Sequence, residues 1–385
     1  MIRNVFLKNL LMGSVFKTIS GINKVVKKDD NKILLYSDLG FRDNIKYLYD
    51  YLVAHKFQKK YKIICAVKDY QVYAKNSPKN IEFVSPMMGI KHYLTCNHIF
   101  YCFGKLPIVP VKKQVVIQMW HGTSFKGFAE NMTKTSSNTD SFYSYVYASS
   151  DFFKPIVMRK FNCSEDKVAL CGHPRTDVFY LNDNNYDLGN YNKTIVWMPT
   201  FRKSKILGQA DTVQASILPT VNDSELSQLN QFLGDSGTQL IVKLHPMQDL
   251  SDVDTDSLKN LKLLSNEQFE NSGMDIYRLL RQSDALITDY SSVFYDYLLL
   301  DKPIGFTEND VDEYKKNRGF AVDPEKFRPG KRIRSLQELE SFITDLLNNQ
   351  DDYSGDRKWV NNTSNKYQDG GNCARSLELS HIYKN

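Results

Sequence analysis

The stretch ALITDYSSVFYDYLLLDKPIGF runs from Ala285 to Phe306. An apolar run ends at Asp289, two serines follow, an apolar-rich stretch begins at Val293, and a second apolar run opens at Pro303. Strand, polar turn, helix and strand in so short a span make the repeating unit of a parallel sheet with helices on its faces. Apolar runs at TIVWMPT (Thr194–Thr200), LIVKLHP (Leu240–Pro246) and LKLLS (Leu261–Ser265) extend the same sheet, separated by helical stretches such as DSELSQLNQFLG.

Further upstream, KILLYS, YKIICAV, IEFVS, HIFYCF, VVIQMW, YVYAS and KVALCG form an earlier series of the same kind. Between the two series, LNDNNYDLGNYNK (Leu181–Lys193) is rich in Asn, Asp and Gly and reads as a linker. The expected fold is α/β, two doubly wound domains facing a central cleft. Residues 1–30 form an N-terminal segment, 31–185 the first domain and 186–345 the second. Residues 346–385 are helices able to cross back to the first. A chain of 385 residues suits two domains, each burying its own core.

Hydrophobic content of 42% and charged content of 24% are those of a globular protein. No window approaches the roughly 20 apolar residues of a membrane-spanning helix. The N-terminus carries Arg3, Lys8, Lys17, Lys24, Lys27 and Lys28 with no acid before Asp29, and its apolar residues recur at helical spacing. Basic residues interrupt the apolar part, which speaks against a signal peptide. The pattern predicts a basic amphipathic helix on an anionic membrane surface, or else a helix packed on the protein's own core.

A net charge of +6 suits acidic partners in general, and no base-reading helix or aromatic RNA-binding signature points to nucleic acid. Six cysteines lie without CxxC spacing, as expected of free thiols in a reducing compartment. Cys96, His98 and Cys102 have the residue types of a zinc site but lie in the apolar run CNHIFYCFG, which predicts a strand with buried thiols, and no metal is expected. The acidic SDVDTDS (Ser251–Ser257) reads as a solvated turn. Nothing in the sequence speaks to oligomeric state.

In open parallel sheets ligands bind beyond the carboxyl ends of the strands. In the second domain those ends carry Pro199, Thr200 and Arg202, then His245, then Asp289, Ser291 and Ser292, then Glu308 and Asn309. Ser291 and Ser292 before a helix offer hydroxyls and free N–H groups to an anion, though a serine also serves as a plain helix cap. Arg202 presents a planar fork to phosphate oxygens or to a surface carboxylate. Asp289 is awkward beside a phosphate and fits better as an acceptor from a hydroxyl or as a group orienting a cation.

In the first domain QMWHGTSFKGF (Gln118–Phe128) places His121, Gly122 and Thr123 at a strand end, with a histidine suited to take a proton near neutrality. GHPRTDVF (Gly172–Phe179) places His173 and Arg175 at a second turn, where they bind anions or where Arg175 pairs with Asp177. No GxxxxGK[ST], GxGxxG or GxSxG motif is present in the needed context.

In order, QMWHGTSFKGF, GHPRTDVF, WMPTFR, VKLHPM and LITDYSSVFYDYLLLDKPIGF, followed by DEYKKNRGF, resemble the motifs of the CDP-glycerol glycerophosphotransferase family. The resemblance covers about Lys113 to Phe320; the first 110 residues carry no matching motif. It implies a GT-B-like fold of two Rossmann-type domains, a monotopic enzyme on the cytoplasmic face of the membrane, CDP-glycerol as donor and no metal cofactor. His121 is then the catalytic base and His245 the second functional histidine. The donor phosphates meet Arg202, Ser291 and Ser292, with Pro199, Thr200 and Asp289 beside them. Gly122, Thr123, His173, Arg175 and Glu308 fall to the acceptor or the cleft.

Members often have a second lysine after the WHGT segment, whereas Lys126 is followed here by Gly127. The implied reaction moves glycerol phosphate to a lipid-linked saccharide or a growing polymer and releases CMP. The length, near the minimal catalytic unit, suits a primase adding one or a few units, with a short polymerase as the alternative. Competing readings are a CDP-ribitol phosphotransferase of the same family, a GT-B glycosyltransferase, and a non-catalytic membrane-surface scaffold.

Overall fold

Apolar runs bounded by polar turns become strands, and every pairing between named strands is parallel. The computed structural model describes residues 5–103, 106–127, 140–183, 186–200, 216–244, 254–308, 311–317 and 319–383. The chain divides into two compact units. The first comprises Met1–His121, Thr135–Asp177 and Lys366–Asn385, and the second Gly122–Lys134 and Val178–Asn365.

In the first unit the strands are β1 (Asp29–Ser37), β2 (Lys62–Val67), β3 (Ile81–Val84), β4 (Cys96–Tyr101), β5 (Val115–Gln118), β6 (Tyr145–Ala148) and β7 (Val168–Leu170). They form one sheet in the order β3-β2-β1-β4-β5-β6-β7. Alternate residues serve opposite faces, as strand geometry requires. Ile33, Leu35, Ile63 and Cys65 pack into one core, while Leu34, Tyr36, Ile64 and Ala66 pack into another on the far side. Both faces are dry, which is why these runs are continuously apolar.

The second unit holds β8 (Lys193–Met198), β9 (Thr238–Lys243), β10 (Leu261–Leu264), β11 (Ala285–Thr288), β12 (Ile304–Thr307) and β13 (Lys331–Ile333). Their order is β10-β9-β8-β11-β12-β13. Strand order reverses between β1 and β4 and again between β8 and β11. At each such switch point the crossovers leave a crevice at the carboxyl ends of the strands.

The expected boundaries shift in three places. Leu181–Lys193 is no free linker: the division falls between Asp177 and Val178, and Leu181, Asp183 and Tyr186 of this stretch are bonded within the second unit. Arg281 Nη1 donates to Leu181 O at 2.6 Å and Asp183 Oδ1 at 2.5 Å, and Tyr186 N donates to Gln282 Oε1 at 2.7 Å. Gly122 and Thr123, expected in the first domain, start a stretch that belongs to the second. Phe125 packs edge-on against Phe294 at 5.2 Å and beside Phe320 at 5.1 Å, and Gly127 N donates to Gly319 O at 2.9 Å.

The third shift concerns the C-terminus. Of residues 346–385, Lys366–Asn385 join the first unit, while the helix Ser354–Ser364 stays with the second. Arg357 anchors that helix by pairing with Asp351 at 2.5 Å and Asp301 at 3.3 Å. In the first unit, Asp177 accepts from the N–H groups of Asn372 and Cys373 at 2.9 and 2.7 Å, fixing a carboxylate at the start of the helix Asn372–Leu379. Gly172 lies against Asn372 so closely that a Cβ would come within 2.3 Å of its side-chain oxygen.

A helix does form near the N-terminus, Val5–Val25, and its last turns dock on the first unit. Phe16 and Ile19 pack against the core, and buried Asn23 donates to Val109 O at 3.0 Å and Gln114 Oε1 at 2.7 Å. Val15, Ile22 and Val25 remain exposed, as do Lys17, Lys24 and Lys27. Lys28, expected among the membrane-facing residues, is turned inward. Its ammonium donates to Asn23 O and Oδ1, Val26 O and Leu94 O, and burial lowers its pKa. Arg3 lies outside the described residues. No helix among the described residues is long and apolar enough to cross a membrane.

Cys96 and His98 lie on β4 and Cys102 just after it, all three buried. The His98 ring meets Ser380 Oγ and Asp30 O, each at 3.1 Å. All six cysteines are free thiols.

Candidate functional site

In the second unit β8 and β11 are neighbours, so Pro199 and Thr200 emerge beside Asp289 at the switch point. Asp289, fully buried, accepts from Thr200 N and Thr200 Oγ1, both at 2.8 Å, through one oxygen, and from Tyr290 N at 2.6 Å through the other. Thr288 Oγ1 adds a bond to Met198 O at 2.8 Å. The hydroxyl that Asp289 meets is therefore the protein's own, and the carboxylate braces the two strand ends. Hydrogen bonds to a charged group contribute about 1.5–3 kcal/mol each.

Ser291 and Ser292 follow at once and are half-buried. Ser291 Oγ accepts from Val293 N at 3.4 Å, while Ser292, at the N-cap of Val293–Tyr297, makes no side-chain capping bond. Arg202, His245 and Asn309 lie outside the described residues.

Glu308 is not a cleft group. It is buried at the end of β12, and its two oxygens are taken by Arg328 Nη2 at 2.5 Å and Arg334 Nη2 at 2.8 Å. The Arg328 guanidinium also lies over the Tyr290 ring, 5.6 Å from its centroid. This pair ties the ends of β11, β12 and β13 together.

In the first unit the turn after β5 is strained. Trp120 has φ 56° and Gly122 φ 132°, both in the left-handed region; a non-glycine residue held there costs of order 1–3 kcal/mol. Surrounding bonds hold the turn. Trp120 N donates to Gln118 Oε1 at 3.1 Å, Asn44 Nδ2 donates to Trp120 O at 3.1 Å, and Arg175 Nη1 donates to His121 O at 3.0 Å. Arg175 is itself buried and paired with Asp43 at 2.8 Å. Arg175 thus pairs with Asp43 and not with Asp177, and it supports the turn.

His121 reaches the surface, but its ring lies between Phe103, at 5.3 Å and nearly parallel, and Trp120, at 4.0 Å. Its pKa is lowered to about 4, chiefly by desolvation; Asp43 opposes this, and Lys160 and Arg175 reinforce it. The imidazole is therefore neutral at physiological pH, with a lone pair able to take a proton.

His173 is buried, with Nδ1 facing Asn44 Nδ2 at 3.4 Å and Nε2 lacking a hydrogen-bond partner. Burial lowers its pKa to about 3; Arg175 and His121 add to the effect and Asp43 opposes it. Asp43, Asn44, Phe103 and Lys160 were not singled out from the sequence, although GFRDN at the end of β1 marks the switch point where such groups belong. Among the described residues no group of three or more His, Cys, Asp or Glu side chains is placed to hold a metal ion.

Two parallel sheets, each with polar groups braced beyond the carboxyl ends of its strands, place the chain in a Rossmann-like α/β class of two units. Residues 18–379 match the CDP-glycerol:poly(glycerophosphate) glycerophosphotransferase family, and the chain belongs to that family. It is 25% identical over 356 residues to the teichoic acid ribitol-phosphate polymerase TarK of Staphylococcus aureus, covering 88% of this chain and 66% of that one. It is 28% identical over 331 residues to the teichoic acid glycerol-phosphate primase of Bacillus subtilis, covering 81% and 79%. The chain thus spans just under two-thirds of the first of these relatives. In fold it resembles the wall teichoic acid polymerase TagF, with a TM-score of 0.74 at 24% identity over 97% of this chain and 95% of that one.

Proposed function

We propose that the protein transfers a polyol phosphate, glycerol phosphate in the first instance, from its CDP-activated form to a hydroxyl of a membrane-linked acceptor in teichoic acid or related surface polymer synthesis. The observation that carries this is the neutral His121, held between two rings on a strained and buttressed turn at the end of β5. The acceptor hydroxyl gives its proton to His121, its oxygen bonds to the phosphorus nearer the polyol, and the bond from that phosphorus to the CMP oxygen breaks. A positioned base contributes typically 100- to 10,000-fold in rate. An imidazole of pKa about 4 is a weak base in the free protein, and arriving phosphate charge raises its basicity.

In this reading Arg202, His245, Ser291 and Ser292 take the donor phosphates and the growing charge on CMP. Pro199, Thr200 and Asp289 shape that site, and no metal or other cofactor is required. The unit holding His121 serves the acceptor and the other unit the donor, in the manner of a GT-B enzyme. The exposed Val15, Ile22, Val25, Lys17, Lys24 and Lys27 of the N-terminal segment support attachment to the cytoplasmic face of an anionic membrane.

CDP-ribitol is the second reading, because ribitol-phosphate enzymes are among the relatives. Incubation with CDP-glycerol and CDP-ribitol separately, with a lipid-linked disaccharide and with a polymer-primed acceptor, tests both readings through CMP release and product mass. A product heavier by one glycerol phosphate supports the first and by one ribitol phosphate the second. Absence of CMP with either donor contradicts both.

A further inference from the structure

Proton transfer requires a nitrogen on His121 but no ring on Phe103, and the two rings nonetheless stack. Their centroids are 5.3 Å apart and their planes 12° from parallel. β4 and β5 are adjacent, with Tyr101 opposite Gln118, and Met119 N donates to Tyr101 O at 2.8 Å. Phe103 and His121 therefore leave neighbouring strand ends shortly beyond a paired position.

Phe103 is also anchored. It is half-buried and packs against the core that holds Leu35, Cys102 and Met119, so part of its ring is committed to that core and part to the imidazole. On the other side of His121 the Trp120 ring lies 4.0 Å away, and Phe161 meets that indole edge-on at 5.0 Å and 89°. Trp120 takes a backbone φ of 56°, a conformation that glycine adopts far more readily. What the indole adds at this position is a second ring beside the histidine.

An imidazole turns about its Cβ–Cγ bond over broad, shallow wells. Rings on both sides narrow that range, so its proton-accepting nitrogen is directed before any substrate arrives. Direction matters because a misplacement of about 1 Å can cost about 100-fold in rate. A carboxylate bonded to the imidazole would hold it as well but would add negative charge where a phosphodiester must approach. An aromatic ring holds it without charge.

We propose that Phe103 is a positioning residue: together with Trp120 it clamps the His121 imidazole, and it raises kcat without touching either substrate. The inference rests on the base role of His121 put forward above. Phe103 itself makes and breaks no bond.

Two variants test this. Phe103→Leu keeps apolar volume on the core but removes the flat ring, and Phe103→Tyr keeps the ring. With whichever of CDP-glycerol and CDP-ribitol supports turnover, Phe103→Leu should lower kcat about tenfold while KM for donor and acceptor stays within about twofold of the wild type. Phe103→Tyr should restore kcat, and urea denaturation should give Phe103→Leu a midpoint close to that of the wild type. An unchanged kcat in Phe103→Leu, a raised acceptor KM with kcat kept, or a Phe103→Tyr no better than Phe103→Leu overturns the proposal.

Nuclear magnetic resonance of the full chain labelled with 13C-histidine, without substrates, separates this inference from the reading beneath it. The chain has seven histidines, and the His121 signal is the one missing in His121→Gln. A stacked ring moves the signals of its neighbour upfield. The His121 ring signals should lie upfield in the wild type and in Phe103→Tyr, and should move toward the free-histidine position in Phe103→Leu. The same His121 signal in all three overturns the clamp. An upfield signal without CMP release from the wild type with either donor overturns the transfer reaction instead.

Discussion

Asn44 donates a side-chain hydrogen bond to the carbonyl of Trp120 at 3.1 Å, so the first helix after β1 holds the turn that follows β5. The same amide nitrogen faces His173 Nδ1 at 3.4 Å, and its oxygen accepts from Arg175 N at 3.2 Å. One fully buried side chain thus secures the strained backbone from which His121 projects.

Asn44→Ala removes all three contacts and leaves buried polar groups unmatched, at about 1–3 kcal/mol for each group left unsatisfied. The expected outcome is a stability loss of at least about 3 kcal/mol in urea denaturation, together with a fall in kcat as the turn relaxes. Unchanged stability would show that the turn is held by other means.

His173 makes stability depend on pH. Its folded pKa, about 3, lies below the ordinary histidine value of 6.5, so under acid the unfolded chain takes up a proton that the folded one refuses. The resulting destabilisation begins near pH 6.5 and deepens as pH falls toward 3, reaching about 2 kcal/mol at pH 5. Denaturation midpoints measured from pH 7.5 to 5 should fall less steeply in His173→Gln than in the wild type. Equal slopes would remove His173 as the cause.

Glu308 separates an internal brace from a substrate contact. Glu308→Ala strands the buried Arg328 guanidinium, and breaking such a pair costs about 3–5 kcal/mol. Chemical denaturation should show this loss. A variant of wild-type stability with only a raised KM would instead return Glu308 to the binding site.

Much of this architecture is legible in the sequence because both sheets are covered on both faces. Runs such as KIICAV and ALIT have no other use than as buried parallel strands, and their polar ends locate His121, Thr200 and Asp289 at the right edges. What those groups do was harder to read, since it depends on partners far along the chain. Trp120 is held by Asn44, 76 residues away, and Glu308 by Arg328 and Arg334, 20 and 26 residues on. Leu181–Lys193 reads as a linker because its residues are polar; Arg281 and Gln282 satisfy several of them inside the second unit. Lys28 reads as one more basic residue of an amphipathic segment until the backbone carbonyls gathered around its ammonium are seen.

The central claim is that His121 takes the acceptor's proton. The most direct measurement is CMP release by His121→Ala, with CDP-glycerol affinity determined alongside. The account predicts a loss of at least about 100-fold in turnover with donor binding largely kept. Full turnover in that variant would contradict it.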